Sequence, residues 1–425
     1  MVTLLEAPPR VAERPRLPEY GRSADEVGAL MDEAAREDVR WRDGRVAGFL
    51  FLGGEDVARV ARDAYLRFFM ENGLSGVAFP SLKKFEDEVA GMAAALMHGD
   101  EAVGSITSGG TESILLAVKT ARDRARALRP DVARPTIVMP RTAHPAFDKG
   151  AHYFGLTPVR TPVGADYRVD LDAYRAAITD DTVLLVGSAP NYPFGMVDPI
   201  PEMAALAADR GISFHVDACV GGFFLPFAEQ LGRRYPAWDF RVPGVTSISA
   251  DLHKFGYTAK GASLLLSRDA DIFQYQGFEF ANWPCGRYRT PNTTGTRPGG
   301  AIAAAWAVLN YLGADGYRRL VGRTLGFTRR LVAGIAAIPG LTLYGEPDMS
   351  VLAYGSPTLD ITAIGERMER RGWFLHWTWE PPAIHLMLSP GHEAIVGDYL
   401  ADLAAATAEV AGRGLTGAER ERTYN

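Results

Sequence analysis

The sequence predicts an α/β fold, with a mostly parallel central sheet covered by helices on both faces and a smaller α+β unit after it. From residue 102 to about 266, short apolar runs alternate with longer helical stretches, and such a βαβ alternation implies a parallel sheet buried on both sides. Beyond residue 299 the pattern changes to long helices followed by scattered short strands. The 425 residues, 47% hydrophobic and 23% charged, allow roughly two to three domains with sizeable cores.

The first ~20 residues are proline-rich and read as an extended arm. Residues 25–40 read as a helix with apolar positions at Val27, Leu30, Met31 and Ala34. An apolar loop over 45–54 leads to a helix over 55–71, the turn-rich NGLSGVAFPSL and a helix over 83–97. In the alternating region the expected strands are 103–107, 136–139, 183–188, 213–217, 247–250 and 263–266. The expected helices are 111–128, 146–154, 171–178 and 199–210. Helices then run to 312 and over 317–338, strands cover 341–344, 360–364 and 384–388, and a last helix covers 397–411 before a frayed tail. This gives an N-terminal arm and helix (1–54), a large domain (55–312) and a small C-terminal domain (313–425).

Composition excludes several functions. A net charge of −6 leaves no basic excess for a nucleic-acid backbone. Two cysteines, Cys219 and Cys285, make neither a disulfide framework nor a structural zinc site, and no other metal site is expected. They imply a reducing, cytoplasmic setting. The N-terminus lacks the apolar core of a signal peptide. No run of about 18 apolar residues is long enough to span a bilayer, so no membrane span is expected.

Ligands in such sheets bind in loops beyond the carboxyl ends of strands, and four segments there carry chemistry. In SISADLHKFGYTAKGASLLL (247–266), Lys254 follows a strand. A buried lysine near other cations can be deprotonated at neutral pH and form a Schiff base with an aldehyde. The alternative is a solvent-exposed lysine. In FHVDACVGGFF (214–224), Asp217 ends an apolar strand and suits either a protonated ring nitrogen or a helix N-cap. In GSITSGGTESILLAVKTA (104–121), the N–H groups of Gly110 and Thr111 can face an anion at a helix start, or Thr111 with Glu112 simply caps the helix. The glycine spacing fits neither a dinucleotide fingerprint nor a P-loop. In RTAHPAFDK, the His144 ring can stack on a flat cofactor or make a structural hydrogen bond. His152 and His215 lie in regular elements and read as structural. The ordered succession of anion cradle, histidine, aspartate and lysine, each after an expected strand, gives the four their joint meaning.

These segments resemble the fold type I enzymes that use pyridoxal 5′-phosphate (PLP), in the group that includes glutamate and tyrosine decarboxylases. The nearest resemblance is to the sphingosine-1-phosphate lyase branch, carried by TSGGTESILLAVK, DPIPEMAALA, HVDACVGGF, DFRVPGVTSISADLHKFGYTAKG and TRPGG. The resemblance implies that Lys254 carries PLP as a Schiff base, Asp217 pairs with the pyridine nitrogen and His144 stacks on the ring. It implies that Gly110, Thr111 and His253 hold the cofactor phosphate, with Cys219 beside the cofactor. Lys260 would contact the substrate side, while Thr296 and Gly299 would reach the neighbouring subunit's phosphate in a homodimer with shared active sites.

The chain also departs from that branch. Phe51 stands in VAGFLF where the branch has a tyrosine, and Ser75 in NGLS where it has a histidine. Leu252 replaces a threonine and Phe194 a histidine. The lost hydroxyl and imidazole are donors that a phosphorylated amine would use. Tyr192 and Tyr257 are further pocket candidates. The implied activity is retro-aldol carbon–carbon cleavage of a phosphorylated amino alcohol or related β-hydroxy amine. Amino-acid decarboxylation is the alternative, and a silent PLP-binding scaffold a third reading, opposed by Lys254, Asp217 and His144.

Overall fold

The computed structural model describes residues 15–418. Part of the expected N-terminal arm (1–14) and the end of the expected tail (419–425) lie outside the described residues. Of the described residues, 15–40 form a separate unit from 41–418. In that first unit, α1 (Ala24–Ala34) starts at a capping box in which Ser23 and Glu26 bond reciprocally. None of its residues is buried, and it ends short of the expected Arg40 in a 3-10 turn.

The second unit begins with α2 (Glu55–Arg67) and α3 (Pro80–Leu96). There follow β1 (Val103–Thr107), α4 (Gly110–Leu128), β2 (Thr136–Pro140), α5 (Ala146–Phe154), β3 (Thr157–Thr161), α6 (Leu171–Ala176) and β4 (Thr182–Ser188). Next are α7 (Ile200–Ala208), β5 (Ser213–Asp217), α8 (Leu225–Gln230), β6 (Ser247–Ala250), β7 (Ser263–Ser267) and the short α9 (Ala270–Phe273). These strands form one seven-stranded sheet in the order β1-β7-β6-β5-β4-β2-β3. Only β7 runs antiparallel to its neighbours. The six expected strands are all present, and β3 is an addition. Its residues, TPVRT, are half exposed at the sheet edge and lack the apolar run of a buried strand.

A two-stranded hairpin, β8 (Phe278–Phe280) and β9 (Tyr288–Thr290), precedes α10 (Gly299–Ala336), which is kinked at Gly313. The remaining elements are β10 (Thr342–Leu343), β11 (Val351–Gly355), α11 (Ile361–Arg370), β12 (His376–Trp379), β13 (Pro382–Met387) and α12 (Val396–Arg413). They build a four-stranded sheet, β10-β11-β13-β12, with its own apolar cluster around Phe327, Leu352, Ile364, Leu386 and Leu403. The strand expected over 360–364 is instead the first turn of α11. Asp360 caps it by accepting the N–H groups of Thr362 and Ala363 through Oδ1. The apolar pair Ile361 and Ile364 are both buried on its inner face, at helical spacing. Among the described residues no helix is long and apolar enough to cross a membrane.

One buried ion pair ties this frame together. Arg297, just before α10, grips Glu86 of α3 in a two-pronged contact of 2.5 and 2.9 Å, and Glu86 also accepts the Ile106 N–H of β1 at 3.0 Å. Both side chains are almost fully covered. Removing one partner strands the other charge. Arg297→Met is expected to destabilise the chain by about 3–5 kcal/mol, read as a lowered midpoint in denaturant unfolding.

Candidate active site

Parallel strands present their carboxyl ends on one edge, and the loops leaving that edge enclose a cavity of about 410 Å³. Its lining includes Gly109, Gly110 and Thr111 after β1, His144 after β2, Tyr192 after β4, Asp217 and Cys219 at the end of β5, and Asp251, His253 and Lys254 after β6. The cofactor segments singled out in the sequence therefore converge on one space.

Lys254 Nζ lies 2.9 Å from Asp251 Oδ2, and both groups are shielded from solvent. Burial opposes the ammonium, but Asp251, helped by Asp217, outweighs it and holds Lys254 above its ordinary value. The expectation of a lysine deprotonated by nearby cations is thus corrected for this state of the chain: the dominant neighbour is a carboxylate. Asp251 itself is lowered, with Lys254 and then His253 overcoming its burial. Its Oδ1 and the His253 Nδ1 are buried without a hydrogen-bond partner.

Asp217 is buried and accepts the Cys219 N–H at 3.1 Å and the Ser249 hydroxyl at 3.3 Å, both on Oδ1. His144 accepts the Ala146 N–H on Nδ1 at 3.1 Å, so the neutral ring carries its proton on Nε2. Burial lowers its pKa against the pull of Asp217. Cys219 is pushed well up by burial and by the flanking carboxylates, which keeps it a thiol. Gly110 opens α4, whose 19 residues direct a helix N-terminus at the cavity. A Cβ at Gly110 would stand 2.9 Å from both Asp251 oxygens and from Cys219 Sγ. The cradle is therefore open only because this residue is glycine.

Other expected site residues fall elsewhere. Phe51, Tyr257 and Lys260 line a separate cavity of about 470 Å³ with Tyr65 and Ala61. Phe51 packs edge-on against Phe255, and Lys260 Nζ stands 5.2 Å above the Phe51 ring while donating to Phe49 O at 2.6 Å and His253 O at 3.3 Å. Desolvation, then the charge of Lys254, lowers Lys260 to about 8. Ser75 Oγ is occupied by the Ala78 N–H. Thr296 Oγ1 accepts from Asn72, and the Gly299 N–H donates to Glu71 O. Neither Thr296 nor Gly299 lines the cavity of its own chain. Tyr192 also lines a neighbouring cavity, with His144, Phe194 and Trp377. Glu112, which in the sequence suits only a capped helix start, accepts the Ser108 N–H and both the N–H and the hydroxyl of Thr293 and so ties the cradle to the loop before α10.

The orphaned His253 nitrogen, the glycine cradle at a helix start, and a lysine and aspartate in one cavity are a donor set that fits a phosphorylated aromatic aldehyde. Comparison with known proteins agrees. Residues 80–354 match the pyridoxal-dependent decarboxylase conserved domain. The chain belongs to the pyridoxal-dependent decarboxylase family. Within that family it is 40% identical to a sphingosine-1-phosphate lyase of Arabidopsis thaliana over 89% of this chain and 71% of that protein. It is 33% identical to a probable L-tyrosine/L-aspartate decarboxylase of Methanothermobacter thermautotrophicus, over 83% of this chain and 94% of that protein. The solved structure of a Burkholderia pseudomallei sphingosine-1-phosphate lyase superposes with a TM-score of 0.89 at 38% identity, covering 94% of this chain and 93% of that one. As a member of this family the chain has the fold of type I PLP enzymes, uses PLP and is a PLP-dependent lyase.

Gly110→Ala is expected to weaken PLP binding by at least about tenfold, because the new methyl would displace Asp251 and Cys219. Titration of the apoprotein with PLP, followed by visible absorbance, measures it.

Proposed function

We propose that the chain cleaves the Cα–Cβ bond of a phosphorylated amino alcohol, or a related β-hydroxy amine, in a retro-aldol reaction that releases an aldehyde. The observation that carries this reading is the convergence of Lys254, Asp217, His144 and the α4 N-terminus on one cavity, in a chain similar to lyases over most of its length.

When bound, PLP supplies an electron sink that weakens a bond at the substrate Cα. Lys254 would hold it through Nζ and Asp217 would pair with its ring nitrogen. His144 would stack on the ring, Gly110, Thr111 and His253 would hold its phosphate, and Cys219 would lie beside it. Asp251 keeps the Lys254 side chain at the cavity and stabilises its charged form. His144 presents an Nε2–H toward substrate, and Lys254 would accept the β-hydroxyl proton as the Cα–Cβ bond breaks and return it to Cα. Lys260 would attract the substrate phosphate as an ammonium. Tyr192, which lines the cavity itself, would shape the substrate end.

Decarboxylation is the second reading, and two residues favour it. Phe51 offers no hydroxyl, and Ser75, whose Oγ accepts the Ala78 N–H, brings no imidazole. The products separate the two: the lyase reading expects an aldehyde from phosphorylated 2-amino-1,3-diols, with no carbon dioxide from amino acids. Carbon dioxide without aldehyde would transfer the assignment to the decarboxylase.

We also infer a homodimer with shared sites. Exposed apolar side chains cluster over one stretch, at Leu66, Phe69, Met70, Leu74 and Val77, around Ser75 and the Asn72 that holds Thr296. Such a patch supports burial against a second copy, with Thr296 and Gly299 serving the neighbour's cofactor phosphate. The unpaired thiols of Cys219 and Cys285 support a cytoplasmic setting.

Because Lys260 is lowered to about 8, its ammonium is present below that pH and lost above it. KM for a phosphorylated amine should rise as pH climbs through about 8, while kcat changes little. Lys260→Met should give a high KM that no longer responds to pH in this range, measured by initial rates at stepped pH.

A further inference from the structure

Behind Asp217 the sheet carries a polar ladder that the cavity itself does not need for its shape. His215 and Asp217 point to one face of β5, and Ser247 and Ser249 to the same face of β6, with His215 opposite Ser247 and Asp217 opposite Ser249. The His215 ring is wholly buried, with Nδ1 at 2.8 Å from Ser247 Oγ and Nε2 at 3.1 Å from Ser249 Oγ. Ser249 Oγ lies 3.3 Å from Asp217 Oδ1 and also receives the Cys219 thiol at 3.3 Å.

Proton bookkeeping leaves one arrangement. Burial pushes His215 down to about 4, against Asp217, so the ring is neutral and has one N–H. With that proton on Nδ1, Ser249 would have to donate to Nε2, and its oxygen would then face the Asp217 carboxylate as one acceptor against another. With it on Nε2, Ser247 donates to Nδ1, Nε2–H donates to Ser249, and the Ser249 hydroxyl is left to donate to Asp217. Every donor then has an acceptor, and a hydrogen bond ends on the carboxylate.

We infer that Ser249 and His215 are positioning residues for the lyase reaction, a relay that fixes the Asp217 carboxylate and aims it at the cofactor ring nitrogen. This rests on the reading of Asp217 as the partner of that nitrogen. The neighbouring strands supply the orientation: an H-x-D segment beside an S-x-S segment in parallel register places all four side chains in one row. His215, which reads as merely structural in the sequence, acquires a role through Ser249.

The test compares binding of PLP and of its 1-deaza analogue, in which a ring C–H replaces the nitrogen, to the full-length apoprotein. If the relay acts through the ring nitrogen, Ser249→Ala lowers the preference for PLP over the analogue by about tenfold, the scale of one hydrogen bond to a charged group. Ser249→Thr, which restores a hydroxyl, recovers most of it. His215→Leu shifts the ratio in the same direction, and the double variant adds little to Ser249→Ala. A merely structural role would weaken both ligands equally and leave the ratio unmoved, which overturns the inference. Asp217→Ala separates the two levels. If it collapses the ratio while Ser249→Ala does not, the relay alone is wrong. If it leaves the ratio unchanged, the reading of Asp217 fails and the relay fails with it.

Discussion

The cavity depends on keeping ionisable groups out of water at a single sheet edge. Asp217, Asp251, His144 and Lys254 are brought there by the carboxyl ends of β2, β5 and β6, and each alone would be costly to bury. They are tolerable together because they compensate one another. Lys254 is paired with Asp251, Asp217 takes a backbone N–H and a serine hydroxyl, and His144 is neutral and anchored on Ala146. The same compensation leaves Asp251 Oδ1 and His253 Nδ1 unsatisfied beside a helix N-terminus. A buried site with unmet polar capacity is built for a ligand.

Much of this was legible in the sequence because it is local. The strands β1, β5 and β6 are continuous short runs bounded by chemistry-bearing loops, and their extents agree with the expected 103–107, 213–217 and 247–250. The edge strand β3 was not legible, since an exposed edge carries no apolar signature. The 360–364 segment misled for a related reason. Five residues containing two isoleucines look like a strand until the Asp360 cap and the Ile361–Ile364 spacing are weighed together.

Contacts between distant segments were beyond the sequence's reach. The sign of the Lys254 shift depends on which charge stands nearest, and Asp251, three residues away, turns toward Nζ only because of the tight loop after β6. The Ser249–Asp217 contact depends on the register of two parallel strands. The substrate end shows the same limit. Phe51, Tyr257 and Lys260 do gather in one cavity, but it is separate from the one that holds Lys254. The residues expected at the cofactor end thus share one cavity, while Phe51, Tyr257 and Lys260 line another.

The central claim is that Lys254 carries the cofactor. It is tested most directly by borohydride trapping of the PLP-loaded protein, followed by peptide mapping by mass spectrometry. The account predicts a single pyridoxyl phosphate addition on the peptide containing Lys254, with Lys260 unmodified. Label on Lys260 or another lysine, or no covalent label on a protein that has bound PLP, would contradict it.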